Sequence, residues 1–148
     1  GAAAVEGFEK DHQYIEGFKK AILMTAGAAV QKLMQNLAKE QEIIMCLADM
    51  LIETYVAESV ILRVEKLTSM RDDQLTTLKT EMARTYLYDA AERIHRAGRN
   101  AINAFADGDE RRMMLIGLKR FTKVADKNTI ASRRLVAEQL IAENHYCY

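Results

Sequence analysis

The chain has 148 residues with no proline, no tryptophan and only seven glycines; 49% are hydrophobic, 28% are charged, and 21 basic side chains balance 21 acidic ones. That length and apolar fraction support one sizeable core and exclude a disordered chain. Zero net charge gives no electrostatic footprint for nucleic acid, and the longest uncharged run, Ala21 to Gln31, is too short to cross a bilayer.

Four long helical patterns follow one another, separated by short polar breaks. The first runs from about Phe8 to Leu37, with Ile15, Phe18, Ile22, Ala29 and Leu33 returning at the three- and four-residue steps of one helical face. Its small-residue stretch Ala26-Gly27-Ala28-Ala29 predicts a tight helix crossing. A phosphate-binding loop would need a preceding strand, and no strand pattern exists.

The second helix, about Glu40 to Thr68, is apolar on two sides: Ile44, Leu47, Leu51, Tyr55 and Leu62 on one, Met45, Ile52, Val56, Val60 and Leu67 on the other. Such a helix is expected in the middle of a bundle, with both faces shielded from water. Its Asp49, Glu53, Glu58 and Arg63 then need partners on adjacent helices, because an unpaired buried charge costs several kcal/mol.

A break at Ser69 to Asp73 leads to the third helix, about Asp73 to Ala106, where Asp72 or Asp73 can cap the first amides. Its apolar row is Leu75, Leu78, Met82, Tyr86, Ala90, Ile94 and Ala97. If the second and third helices form an antiparallel hairpin, Asp49 meets Arg93 and Glu58 meets Arg84. Nine residues separate the members within each helix, about 180° at 100° per residue, so a straight hairpin satisfies one pair well. The reading favours Asp49 with Arg93.

Asp107, Gly108 and Asp109 supply a turn and the start of a fourth helix, which carries Met113, Met114, Ile116, Leu118 and Phe121 and weakens from Thr122 to Asn128. A separate fifth helix over Thr129 to Asn144 is preferred to one bent helix from Asp109. The expected fold is all-α: an elongated antiparallel bundle of four long helices with a fifth added at the C-terminus. It reads as a single helical domain over 1–148. The chain opens without Met in helix-like sequence, and is expected to be a piece of something longer.

Chemistry is sparse. Glu92 and His95 form one Glu-x-x-His, but di-iron bundles use that motif twice, with two further carboxylates. No metal site is therefore expected, and His95 is read as a packed or partly exposed helix residue among Arg93, Arg96 and Arg99. A third possibility, a helical metalloenzyme, predicts bound iron or manganese in the purified protein. No Gly-x-Ser-x-Gly elbow or dinucleotide fingerprint occurs. Cys46 and Cys147 lack the spacing of a metal or redox pair, which fits a cytoplasmic or other reducing intracellular compartment. No secretory signal pattern occurs at the N-terminus. Charge is uneven: residues 1–67 carry ten acids and seven bases, residues 109–148 five acids and eight bases. Arg133 and Arg134 belong to that basic third, which can face an acidic partner, an anionic membrane surface or the phosphates of coenzyme A. An ordinary solvated face is the blander reading of the same charges.

The second helix, from Leu47-Ala48-Asp49 through Val60-Ile61-Leu62-Arg63 with Glu65 and Lys66, resembles a segment in the extra C-terminal helical region of acyl-CoA dehydrogenases of the very-long-chain type. Asp89-Ala90-Ala91-Glu92-Arg93-Ile94 is similar to the helix that follows it there. The order of helices also matches, over most of residues 8–121; Thr122 to Tyr148 departs from the mitochondrial members. The resemblance implies a noncatalytic C-terminal piece of an FAD-dependent flavoenzyme of fatty-acid β-oxidation. The glutamate base and FAD contacts of that family lie upstream of this region, so no catalytic or cofactor-binding residue is transferred, and no cofactor is expected in the fragment itself. Expected partners are the core domains of the parent enzyme, a second copy in a homo-oligomer, or a membrane surface, to which the protein would be peripheral. The alternative from another class is an independent helical interaction or adaptor module.

Overall fold

The computed structural model describes residues 2–143, apart from the side chains at 2–6, 35 and 143. Expectations that concern Asn144, His145, Tyr146, Cys147 and Tyr148 lie outside the described residues. Five α-helices make up the fold: α1 (Ala2–Leu33), α2 (Gln41–Met70), α3 (Gln74–Phe105), α4 (Gly108–Phe121) and α5 (Thr129–Glu143). Three of them, with 32, 30 and 32 residues, are long; α4 has 14, so the expected set of four long helices is corrected to three long and two short.

Local chemistry sets the breaks. The first helix is α-helical only to Leu33 and tightens into a 3-10 stretch over Met34–Lys39, where Met34 takes a left-handed φ of 45°. The side chain of Asp73 accepts the backbone N–H of Thr76 at 2.9 Å and starts α3, satisfying one of the amides a helix leaves unpaired. Gly108 turns the chain into α4 with φ of +56°, a region only glycine visits freely, and Asp109 and Glu110 follow in the first turn, where the helix dipole favours negative charge.

α1 and α2 run in opposite directions, as do α3 and α4, as falling residue numbers along their contacts record: His12 with Glu65 and Lys19 with Glu58 in the first pair, Gly98 with Leu118 and His95 with Thr122 in the second. The core collects Phe8, Ile15, Phe18 and Ala29 of α1, Met50 and Ile61 of α2, Leu87 and Ile94 of α3, and Leu118 of α4.

In α2 the inward row is Ile43, Met50, Thr54, Ala57, Ile61, Val64 and Thr68, not either apolar side read from the sequence. Two threonines fit there because Thr54 and Thr68 each donate to the carbonyl one turn back, Met50 and Val64, at 2.8 Å. Ile43, Met50, Ile61 and Val64 supply the apolar part of this row, while Leu51, Ile52, Tyr55 and Leu62 remain outside. The expected place of α2 in the middle of the bundle is corrected accordingly.

Close crossing also occurs elsewhere than expected. Gly27 has open space around it, whereas a Cβ on Gly17 would stand 2.5 Å from the carbonyl oxygen of Phe121, so α1 meets the end of α4 backbone to backbone at Gly17.

Candidate functional site

Exposed apolar side chains form a stripe along α2: Ile44, Leu51, Tyr55 and Leu62 recur at helical steps, with Leu51 59% and Tyr55 71% exposed. From Ile44 to Leu62 it extends about 27 Å at 1.5 Å per residue. Scattered exposed hydrophobics are ordinary, whereas a contiguous exposed apolar row is the kind of surface on which interaction sites are found. It is the candidate docking face of the molecule.

The charged residues of α2 and α3 pair differently from the sequence reading. Arg93 bonds Glu53 at 2.9 Å, one helical turn beyond Asp49, and lies over the ring of Tyr86 at 5.3 Å. Asp49 is exposed instead. The hairpin register differs by that one turn, so the favoured Asp49–Arg93 pair is corrected to Glu53–Arg93. Glu58 and Arg84 do not pair either. Glu58 accepts from Lys19 of α1 at 2.7 Å, and Arg84 meets Asp11 of α1 at 3.1 Å, because both residues turn toward the first helix rather than toward each other.

Asp11 is 5% exposed and sits among Phe8, Ile15 and Phe18. Burial pushes its carboxyl above the ordinary value of 3.8, with the opposing charge and hydrogen bond of Arg84 only partly offsetting it. The Arg84 guanidinium also lies 5.1 Å from the centre of the Phe8 ring. Sequence reading missed this pair, although the signal was present: Phe8, Asp11, Ile15 and Phe18 share one helical face, which places a carboxylate in a core row.

Helix α5 packs on α3 alone among the described elements, and through polar groups. Lys127 and Ser132 both donate to Glu81, Arg133 meets Asp89 at 3.0 Å, and Ile130 and Ile141 remain exposed. Arg134 is also exposed. Burial works against ionisation of Glu81, but the hydrogen bonds from Lys127 and Ser132 outweigh it and hold the carboxyl below its ordinary 4.5. A depressed carboxylate contributes stability above its unfolded value and loses it as pH falls through the folded value. Docking of α5 is therefore expected to weaken as the pH falls below the ordinary 4.5 of a glutamate; NMR shifts of α5 should move there before those of α2, and Glu81→Gln should remove the step.

Between α3 and α4 lies a groove of about 730 Å³ lined by Arg96, Arg99, Lys119 and Lys123, with His95 on its wall. The Thr122 hydroxyl donates to the Leu118 carbonyl at 2.8 Å and so accepts from Nδ1 of His95 at 3.0 Å. Burial first, then the charges of Arg99 and Lys119, hold the imidazole below its ordinary 6.5. Among the described residues no group of three His, Cys, Asp or Glu could hold a metal, and no helix is long and apolar enough to cross a membrane.

These elements and surfaces define an all-α domain whose central feature is an uncovered apolar helix face. Residues 17–120 match the family described as acyl-CoA dehydrogenase, C-terminal domain. A probable acyl-CoA dehydrogenase of Bacillus subtilis (strain 168) is 30% identical over 138 residues, covering 93% of this chain and 23% of that protein. A crystal structure of an acyl-CoA dehydrogenase complexed with FAD from Bacillus anthracis superposes with a TM-score of 0.87 at 30% identity, over 93% of this chain and 24% of that one. The chain belongs to the acyl-CoA dehydrogenase C-terminal domain family, and spans about a quarter of the length of these relatives.

The flavin named for the Bacillus anthracis structure does not fit the groove described here. Its walls are mainly charged, with Tyr88 and the His95 imidazole as the aromatic rings along it, so nothing there offers a broad apolar slot to a flavin ring. No catalytic step is drawn through it.

Proposed function

We propose that this chain is the noncatalytic C-terminal domain of an FAD-dependent acyl-CoA dehydrogenase of the very-long-chain type, serving fatty-acid β-oxidation by packing against the core domains of its parent enzyme or against a second copy. The observation that carries the reading is the α2 face, with Leu51 and Tyr55 exposed on a domain whose relatives are about four times longer. A core domain laid on that face removes the apolar row from water, at roughly 25 cal/mol for each Å² covered.

The test uses the full-length parent enzyme. Leu51→Asp with Tyr55→Asp should leave flavin absorbance in place while making the C-terminal domain newly sensitive to limited proteolysis. Unchanged proteolysis refutes packing through this face. The 148-residue chain alone should show neither flavin absorbance nor acyl-CoA oxidation, and either signal refutes the noncatalytic assignment. A reading frame that starts just before Ala2 would favour the independent adaptor module instead. Membrane association, the third variant of the packing role, draws on Arg133 and Arg134, of which Arg133 also meets Asp89; absence of binding to anionic liposomes at low salt counts against it, and binding that survives neutralising both arginines removes them as its cause.

A further inference from the structure

The α3–α4 groove holds an imbalance of charge that the packing role does not use. Arg93 and Asp89 on its rim are already paired, with Glu53 and Arg133. Arg96, Arg99, Lys119 and Lys123 take part in none of the ion pairs among the described residues. Two come from α3 and two from α4 or its end, so like charges line both sides of one groove. All four are exposed, so water screens them from one another, and an anion seated between the two sides would gain from both.

The remaining carboxylates of the groove are Glu92 and Asp126. Glu92 stands about 10 Å along α3 from Arg99, two turns back, and one turn from Arg96, so the carboxylates are farthest from Arg99 and Lys119, which lie at the level where Gly98 meets Leu118. Arg99 and Lys119 both lie close enough to His95 to act on its charge. Guanidinium groups grip carboxylate and phosphoryl oxygens alike in pairs, but four cations match the greater charge and the additional oxygens of a phosphoryl group better than a lone carboxylate. A volume of about 730 Å³ exceeds a single phosphate and leaves room for an organic portion reaching Glu92 and Asp126.

We propose that the α3–α4 groove is a binding site for a small soluble organic phosphate, its phosphoryl group held by Arg96, Arg99, Lys119 and Lys123 and its hydrogen-bond donors directed toward Glu92 and Asp126.

The experiment titrates the full 148-residue chain with inorganic pyrophosphate at low ionic strength, by calorimetry and by NMR of the His95 ring. Expected are saturable one-site binding and an upward move of the His95 midpoint, because the bound anion offsets the charges of Arg99 and Lys119 while Glu92, Arg96, Lys123 and Asp126 stay unchanged. Arg99→Gln with Lys119→Gln should weaken binding about tenfold or more. The same variant should melt no lower than the parent chain without pyrophosphate, since it removes two exposed charges and breaks none of the ion pairs among the described residues. Arg111→Gln with Arg112→Gln, at the far end of α4, should bind as the parent does. Absence of heat and of any His95 movement overturns the proposal, and that reading needs no variant. Equal loss in the two variants also overturns it, by showing nonspecific charge attraction. Binding to phosphatidylglycerol vesicles without a response to pyrophosphate overturns it in favour of a lipid surface.

Discussion

Arg84→Ala is expected to lower the unfolding free energy by about 3 kcal/mol, near the bottom of the range for breaking a buried ion pair because Arg84 itself is 32% exposed. The penalty comes from what remains: Asp11, 5% exposed, keeps its charge inside the core row of α1 without its ion-pair partner, and Phe8 loses the guanidinium over its ring. For a chain of this length that corresponds to a fall in Tm of about 2–4 °C per kcal/mol.

Two further measurements separate this cause from simple loss of packing. The pair Asp11→Leu with Arg84→Met should recover most of the loss, because replacing both ions by apolar groups of similar volume leaves no orphan charge. Losing Arg84 also moves the already raised Asp11 pKa further up, so the ionised form costs more in the folded state. The destabilisation is therefore full at neutral pH and shrinks as the pH falls toward the ordinary 3.8 of Asp11. Urea denaturation at neutral pH and near pH 4 reads this directly; an equal loss at both would assign the effect to packing alone.

Gly17→Ala and Gly27→Ala, the same substitution in the same helix, should change stability in opposite directions. A methyl group at Gly17 meets the Phe121 carbonyl oxygen at 2.5 Å, and a backbone oxygen cannot swing aside as a side chain can. Forcing α1 and α4 apart should cost about 1–3 kcal/mol, enough to outweigh the helix propensity alanine brings. At Gly27 nothing lies within 4 Å, so the propensity term stands alone and should stabilise by up to about 1 kcal/mol. Thermal melts of the two variants suffice. Matching shifts of either sign would contradict the close approach at Gly17.

Helix positions were readable because their punctuation is local: Asp73 ahead of α3, the Asp107-Gly108-Asp109 turn, and the weak stretch from Thr122 to Asn128 that separates α4 from α5. Facing was harder. In α2, Ile, Leu and Met occur on every side, while the row that turns inward contains Thr54, Ala57 and Thr68. Hydrophobicity cannot rank such faces, because the buried threonines satisfy themselves within their own helix while Leu51 and Leu62 stay exposed. Register was legible only to within a turn, which sufficed to lead from Glu53 to Asp49 as the partner of Arg93. The groove was out of reach for a related reason. Arg96 and Arg99 are far in sequence from Lys119 and Lys123, and only the folded hairpin of α3 and α4 brings their charges to one place.

Only Arg71, Asp72 and Asp73 separate α2 from α3, so the longest interface of the molecule closes with almost no loop entropy to overcome. Refolding is expected to nucleate in that hairpin, with α1 and α4 condensing on it later. Contacts near in sequence make for a fast search, in the range of helical domains rather than of sheets. Conservative truncations at Ile61 and Leu87 should then slow refolding, whereas truncation at Phe18 should chiefly speed unfolding, a contrast that stopped-flow kinetics can read.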